Sequence, residues 1–293
     1  MVKKIKKINI IPHVVVCLFS IMCLIPFVLV LSISFSSERD IIDYGYQFIP
    51  RNLNFTAYKY IFEFSSQLLT SYKVTIMYTI IGTFFAVMLE IFMAYPLARS
   101  QFKERKFFNF YIYFTMLFSG GLVPSYILIT QYLDIDNTFL VLVLNGLVNV
   151  WHIFLLRTFF KNIPEALIES AKIDGASEWR ILFQMVIPLS KPVIATVTLF
   201  GVLARWNDWY TALLYISDSE LYPLQYLLQK MMMDINMLKE GLDLPQSVVG
   251  SMEIPGETAR MAMAILAAGP MILVFPFFQK YFVKGITVGS VKG

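Results

Sequence analysis

Three ionisable side chains stand inside apolar runs where a charge is costly: Glu90, Arg205 and Asp208. Arg205 and Asp208 are three apart, so on a helix they share a face. Trp206, Asn207 and Trp209 flank them. Aromatic faces beside groups that make paired hydrogen bonds are how a carbohydrate is held, and one use of this cluster is to line a polar path. The other is an internal ion pair, Arg205 with Glu90 or Asp208, that holds a helix bundle together while the tryptophans face lipid. The residues alone leave both open.

No other side chains assemble into a catalytic or metal-binding pattern. The chain has no glycine-rich phosphate loop, no H-E-x-x-H and no dinucleotide fingerprint. His13 and His152 lie far apart, in or beside apolar runs, where a histidine is a packing residue with a hydrogen bond. Cys17 and Cys23 share one run at a spacing that suits neither a metal nor a disulfide, so they read as small apolar fillers. Catalytic residues: none; metal ligands: none. Nothing here hydrolyses ATP.

The elements that must position the cluster follow from composition. The chain is 57% hydrophobic and 15% charged, with a mean hydropathy of +0.65, whereas a soluble domain carries about 25% charged residues. Six apolar runs are long enough to span a bilayer: 8–33, 72–97, 107–132, 137–160, 190–217 and 258–284. Pro26, Pro124, Pro270 and Pro276 interrupt several, which membrane helices tolerate. The first run is too long, and lacks a small-residue cleavage site, to be a signal peptide. The net charge of +4 does not suggest nucleic acid.

Lysine and arginine set the orientation. With a cytosolic N-terminus, one side gathers Lys3, Lys4, Lys6, Lys7, Arg99, Lys103, Arg105, Lys106, Arg157, Lys161, Lys172, Arg180, Lys191, Lys280, Lys284 and Lys292. The other side has fewer cations and most of the acids, Glu38, Asp40, Asp134, Asp218 and Glu257 among them. Both ends, and the polar stretch 162–190, are therefore expected in the cytosol. Two outer segments, 34–71 and 218–257, are too ordered for linkers and too short for domains. The second, with Pro223, Gly241, Pro245, Gly250, Pro255 and Gly256, is expected to be a folded loop with a short helix near Leu224–Lys239. It is either a plain connection or a docking surface for an extracytoplasmic partner.

The stretch 162–190 is the most specific feature. It reads as two short amphipathic helices broken at Asp174-Gly175 and closed by Pro188. Within it stand Glu169-Ser170-Ala171, three residues, Gly175, nine residues, then Met185-Val186-Ile187-Pro188. This resembles the EAA signature of permease subunits of ATP-binding-cassette importers, E-A-A-x3-G-x9-I-x-L-P. Ser170, Met185 and Ile187 depart from the pattern; Glu169, Ala171, Gly175 and Pro188 keep it. Asp174-Gly175-Ala176 is similar to the form found in carbohydrate permeases of the maltose type. Ser119–Pro124, Arg205–Trp209 and Pro223–Gln225 look like the branch that handles complex oligosaccharides. The likeness runs from about residue 70 onward.

The resemblance implies an all-α polytopic fold: six transmembrane helices of the type I ABC importer permease, with a cytoplasmic coupling helix. Residues 1–71 would form the first transmembrane helix and first extracytoplasmic segment. Residues 72–293 would form a five-helix core containing the coupling loop 162–190. The implied function is translocation of sugars, oligosaccharides in particular, in a bacterial cell membrane by alternating access, without catalysis by this chain. Glu169, Ala171, Asp174, Gly175, Ala176, Trp179, Arg180, Phe183 and Pro188 would meet the ATPase. Gly175 would allow the bend, Ala171 and Ala176 would keep the elbow slim, and Ile168, Ile173, Trp179 and Phe183 would give it an apolar grip. Glu169, Asp174 and Glu178 would cap helix starts or pair with basic groups. Arg205, Trp206, Asn207, Asp208, Trp209 and Glu90 are the candidates for the sugar path.

The chain would bind no cofactor; ATP and Mg would sit on two partner ATPase subunits. The other implied partners are a sister permease, giving a heterodimer, an extracytoplasmic sugar-binding protein and membrane lipid, with no nucleic acid. The alternative is a polytopic membrane enzyme acting on lipid-linked glycans. It would need a carboxylate or histidine cluster near one membrane face, and the sequence offers none. An ion-coupled carrier would show internal repeats, which are also missing.

Overall fold

The computed structural model describes residues 10–63, 65–241 and 256–290. Within them all regular structure is helical, apart from one isolated bridge between Ser36 and Leu53. Lys3, Lys4, Lys6, Lys7 and Lys292, on which part of the charge argument rests, lie outside the described residues, as do Pro245, Gly250 and Pro255.

The six apolar runs are all helical, but three are single helices long and apolar enough to cross a membrane: Ile11–Ser34, Ser66–Ala98 and Glu257–Gln279. These belong to α1 (Ile10–Ser34), α4 (Ser65–Ala98) and α15 (Glu257–Ser290). The third run is bent by 107° between Arg105–Leu117 (α5) and Leu122–Tyr132, which opens with α6 (Leu122–Ile127). The fourth splits into α7 (Phe139–Leu144) and α8 (Val150–Lys161). The fifth is α12 (Lys191–Trp206), a gap at 207–209, and α13 (Tyr210–Tyr215).

The prolines are not what breaks them. Pro26, Pro96, Pro270 and Pro276 sit inside unbroken helices, and Pro124 sits in the first turn of α6, where a missing N–H leaves no bond unmade. The breaks fall instead at Gly120-Gly121, at Asn145-Gly146 and at Asn207-Asp208. There the freed backbone groups find side-chain partners.

The chain divides into two compact units, Met1–Ser65 with Leu228–Gly269, and Ser66–Leu227 with Pro270–Gly293. In the first, α2 (Glu38–Tyr44) and α3 (Thr56–Glu63) follow α1. The Glu38 carboxylate accepts bonds from the backbone N–H groups of Glu257 (2.9 Å) and Thr258 (3.0 Å), and from the Thr258 hydroxyl (2.8 Å). An acid at the start of α15 satisfies donors that no helix can satisfy for itself. The short helix expected in the second outer segment is present as α14 (Leu224–Gly241).

The core of the second unit joins the end of α4, α8 and the polar stretch. Ile91, Ala94, Ile153, Leu156, Ile168, Ile181, Leu182, Val186 and Val197 are its most buried members. Ile168 was expected to project outward for grip. It is 2% exposed and anchors the stretch to the core instead.

Candidate functional site

Two constellations in the second unit hold the residues expected to meet the ATPase and those expected to line the sugar path. The first is an elbow. Helix α9 (Glu165–Ile173) ends at Gly175, whose φ of +79° places it in the left-handed region that suits glycine. Ala176 N–H returns to the Ala171 carbonyl at 2.9 Å, so both alanines lie inside a tight turn. The second arm begins with α10 (Glu178–Ile181), capped by the Ser177 hydroxyl, which accepts from Arg180 N–H at 3.3 Å.

Glu169, Asp174 and Glu178 were expected to cap helix starts or to pair with basic groups. Glu178 stands in the first turn of α10 and pairs with Lys172, whereas Asp174 is at the end of α9, not at a start, and Glu169 is exposed on its flank. A serine two positions after the glycine was the overlooked signal. Arg180 reaches along the arm to Gln184 at 3.0 Å.

Pro188 was expected to end the second arm. The arm continues through it as α11 (Ile187–Leu189), and the 81° bend into α12 falls at Ser190. The effect of the proline is felt upstream. It cannot donate to Gln184, and its ring crowds that carbonyl, so Leu182–Val186 widens into a π-turn.

What the elbow presents is apolar and uncovered: Ile173 is 87% exposed, Trp179 63% and Phe183 45%. Its inner side is tied to the end of α4. Tyr95 donates to Glu178 at 2.5 Å, Lys172 bonds Gln101 and Glu178 at 2.5 Å each, and Ser100 bonds Glu165. Burial alone would raise the Glu178 carboxyl, but the bonds from Lys172 and Tyr95 outweigh it and hold it below its usual range.

The second constellation surrounds the break between α7 and α8. Glu90, 1% exposed on α4, takes the Asn149 N–H and faces His152 Nδ1, both at 3.1 Å. Arg205, 7% exposed, crosses α4 at Gly82, where an added Cβ would stand 2.6 Å from its Nε. Its guanidinium points to the carbonyls of Gly201 (3.4 Å) and Gly146 (3.5 Å). Asn145 donates to the Thr211 hydroxyl at 2.8 Å. Irregular backbone at membrane depth survives only where protein satisfies it, and Glu90 and Arg205 serve the same break, one at each end.

Arg205 and Asp208 do not share a helix face, because α12 ends at Trp206 and Asp208 lies in the gap. Asp208 instead accepts from Tyr78 at 3.0 Å and from Thr211 N–H at 3.1 Å. No carboxylate pairs with Arg205 among the described residues. Trp206 is buried, while Asn207 and Trp209 are exposed. Tyr78, Asn145 and Gly82 are members that sequence reasoning missed, while His152 is the hydrogen-bonded packing residue expected, with Glu90 as its partner. Among the described residues, no group of three or more His, Cys, Asp or Glu could hold a metal ion.

An elbow with a left-handed glycine and uncovered apolar tips, beside broken, internally satisfied membrane helices, is the architecture of a transport subunit. Residues 74–288 match the family described as binding-protein-dependent transport system inner membrane component, and the chain belongs to it. These are the membrane permeases of ATP-binding-cassette importers, so the protein is membrane-embedded. It is 38% identical to the polygalacturonan/rhamnogalacturonan transport system permease protein YtcP of Bacillus subtilis, over 94% of this chain and 95% of that one. To protein LplC of the same organism it is 37% identical, over 92% and 90%. The fold is similar to a chain in the crystal structure of a bacterial ABC transporter involved in the import of the acidic polysaccharide alginate. That match has a TM-score of 0.77 and 30% identity, and covers 94% of this chain and 96% of that one.

Proposed function

We propose that this chain is one of two permeases of an ATP-driven importer for oligosaccharides, with both termini in the cytosol. A sister permease completes the path, an extracytoplasmic binding protein delivers the sugar, and two ATPase subunits receive the elbow at 162–190. ATP and Mg act on those subunits, and their closure rocks the helix bundles between inward and outward access. Residues 1–71 would be an N-terminal addition to the transporting core 72–293.

The observation that carries this reading is the elbow itself. Ile173, Trp179 and Phe183 stand uncovered around a glycine whose Cβ direction is open space, which suits insertion into a cleft of a separate protein. The names of YtcP and of the alginate importer suggest the substrate class. All three polymers they name contain uronate, so uronate-bearing oligosaccharides lead the candidates. Exposed Asn207 and Trp209 are the parts of the second constellation that could meet sugar. Glu90, Arg205, Trp206 and Asp208 act behind them, as the frame of the path.

The test is uptake of radiolabelled oligosaccharides, neutral and uronate-bearing, by cells that lack the chain and cells that carry it. Purification of the chain should bring down an ATPase and a second permease. Recovery of the chain alone, with uptake unchanged by its deletion, would sink the proposal. An enzyme acting on lipid-linked glycans would give that result.

A further inference from the structure

The outer end of α1 is wrapped by the segment that follows it. Up to Leu31 the side chains of α1 are exposed or half-buried, whereas Ser32, Ile33, Ser34 and Ser36 are buried. The Ser32 hydroxyl donates to the Gln47 carbonyl at 2.7 Å, Tyr58 donates to the Ser34 hydroxyl at 3.0 Å, and Asn54 N–H reaches the Phe35 carbonyl at 2.8 Å. Phe35 stacks on Tyr58 with ring centres 5.0 Å apart. These ties fix the height of the segment. Gln47 lies beside Ser32, two residues back from the end of α1 at Ser34, which is about 3 Å along the axis.

That height is the edge of the bilayer. Helix α1 has 25 residues, about 37 Å of length, against a hydrocarbon core of about 30 Å. At this level Tyr44, Tyr46, Phe48 and Ile49 point outward, Ile49 with 80% of its surface exposed. They follow in height on the apolar surface that α1 presents at Phe27, Val28 and Leu31. Their polar tips are turned to other groups. The Tyr46 hydroxyl donates to Glu257 at 3.2 Å, and the Arg51 guanidinium lies over the Tyr44 ring, 3.9 Å from its centre, with Nε bonded to Gln47 at 3.1 Å. A bare ring with an engaged polar tip is how side chains sit where hydrocarbon meets water.

We propose that residues 44–49 lie in the outer-leaflet interface, Phe48 and Ile49 among the upper acyl segments and the rings of Tyr44 and Tyr46 at headgroup level. The partner of this surface is phospholipid, and the segment holds the outer end of α1 at a set depth. The lipid need not be anionic. The charges between 35 and 55 are Glu38, Arg39, Asp40, Asp43 and Arg51, with no excess of cations to select an acidic headgroup. The proposal needs α1 to span the bilayer and does not depend on which substrate is carried.

The importer, purified with its ATPase and sister permease, is reconstituted in vesicles with a nitroxide at Ile49→Cys, in a Cys17→Ala, Cys23→Ala background. The label should be relaxed by oxygen, which concentrates in bilayers, and should lose relaxation by a water-soluble nickel chelate. Photoactivatable phosphatidylcholine and phosphatidylglycerol should label peptide 42–55 equally. Phe48→Ser combined with Ile49→Ser should cut that labelling about tenfold, as the loss of two half-buried apolar side chains from lipid. Gel filtration reports that each complex is intact. Relaxation of the nitroxide by nickel places the surface in water, and relaxation by neither agent places it under a protein, the sister permease or the binding protein; either result overturns the proposal. So does labelling by phosphatidylglycerol alone, the mark of an anion site, or labelling that the double serine variant leaves unchanged.

Discussion

The elbow and the break between α7 and α8 are both places where helices stop, yet they stop in opposite ways. At the break, freed backbone groups are met from inside: Glu90 takes the Asn149 N–H and Arg205 reaches the Gly146 carbonyl. At the elbow the inner side is tied to α4 and the outer side is left apolar and bare, with Ile173 87% exposed. One region is closed within the chain, and the other leaves its apolar side chains exposed, as the proposed docking requires. Substitutions should therefore separate them: elbow variants lose transport before stability, and break variants lose stability before transport.

The largest effect belongs to Gly175. Its φ of +79° is a conformation that a β-branched side chain does not adopt without strain, and adopting it costs a residue with a Cβ about 1–2 kcal/mol. Gly175→Val should redirect the second arm and abolish uptake and substrate-stimulated ATP hydrolysis. Membrane insertion and detergent melting should stay near wild type. Gly175→Asn, which tolerates the left-handed region, should recover part of the uptake. Wild-type uptake by the valine variant would erase the contrast between the regions.

Next is the seat of Arg205. A Cβ at Gly82 would lie 2.6 Å from Nε and 2.9 Å from Cδ of Arg205, both in the middle of a buried side chain that cannot swing aside. Gly82→Val should lift the guanidinium off both carbonyls and destabilise by about 3 kcal/mol, as overpacking a filled core does. Arg205→Ala should have a similar effect by leaving Gly146 unmet. The measurement is thermal unfolding of the purified complex. Unchanged melting in both variants would show that the break needs no internal support.

The difference between the regions also explains what could be read from the chain. The elbow was legible because its geometry is local: a glycine, two small residues and a closing proline act at fixed spacing. Even there, the cap fell to Ser177, and Pro188 produced a π-turn instead of a stop. The break was half legible. A charge inside an apolar run announces itself, so Glu90, Arg205 and Asp208 stood out. Their partners did not, since His152, Tyr78 and Gly82 come from segments remote in sequence. The pairing of Arg205 with Asp208 failed because the helix ends at Trp206, and no local signal separates that end from another turn.

Within the second constellation, exposure divides frame from surface. Trp209 is 37% exposed and Asn207 is also exposed, whereas Trp206 is buried. If the exposed pair meets sugar, Trp209→Ala should raise the apparent transport constant about tenfold, a stacking contact of roughly 1.4 kcal/mol. Asn207→Ala should raise it less, and neither should change melting. Loss of assembly in both, with equal loss for every sugar tested, would assign them to the frame along with Arg205.

The smallest effect sharpens the account of the elbow. Ser177 is exposed, and its hydroxyl does one thing, accepting from Arg180 N–H at 3.3 Å. Removing such a cap costs about 1 kcal/mol, and here the loss falls on a four-residue helix carrying Trp179. Ser177→Ala should leave global melting unchanged and increase amide exchange in 178–181 by about fivefold, which is that energy read as a population. Uptake should fall only a few-fold, because Tyr95 and Lys172 still hold Glu178 against α4. If exchange rises and uptake does not move, docking does not require a rigid second arm. If uptake collapses while Tyr95→Phe is harmless, the cap positions the apolar tips and the inner ties are secondary.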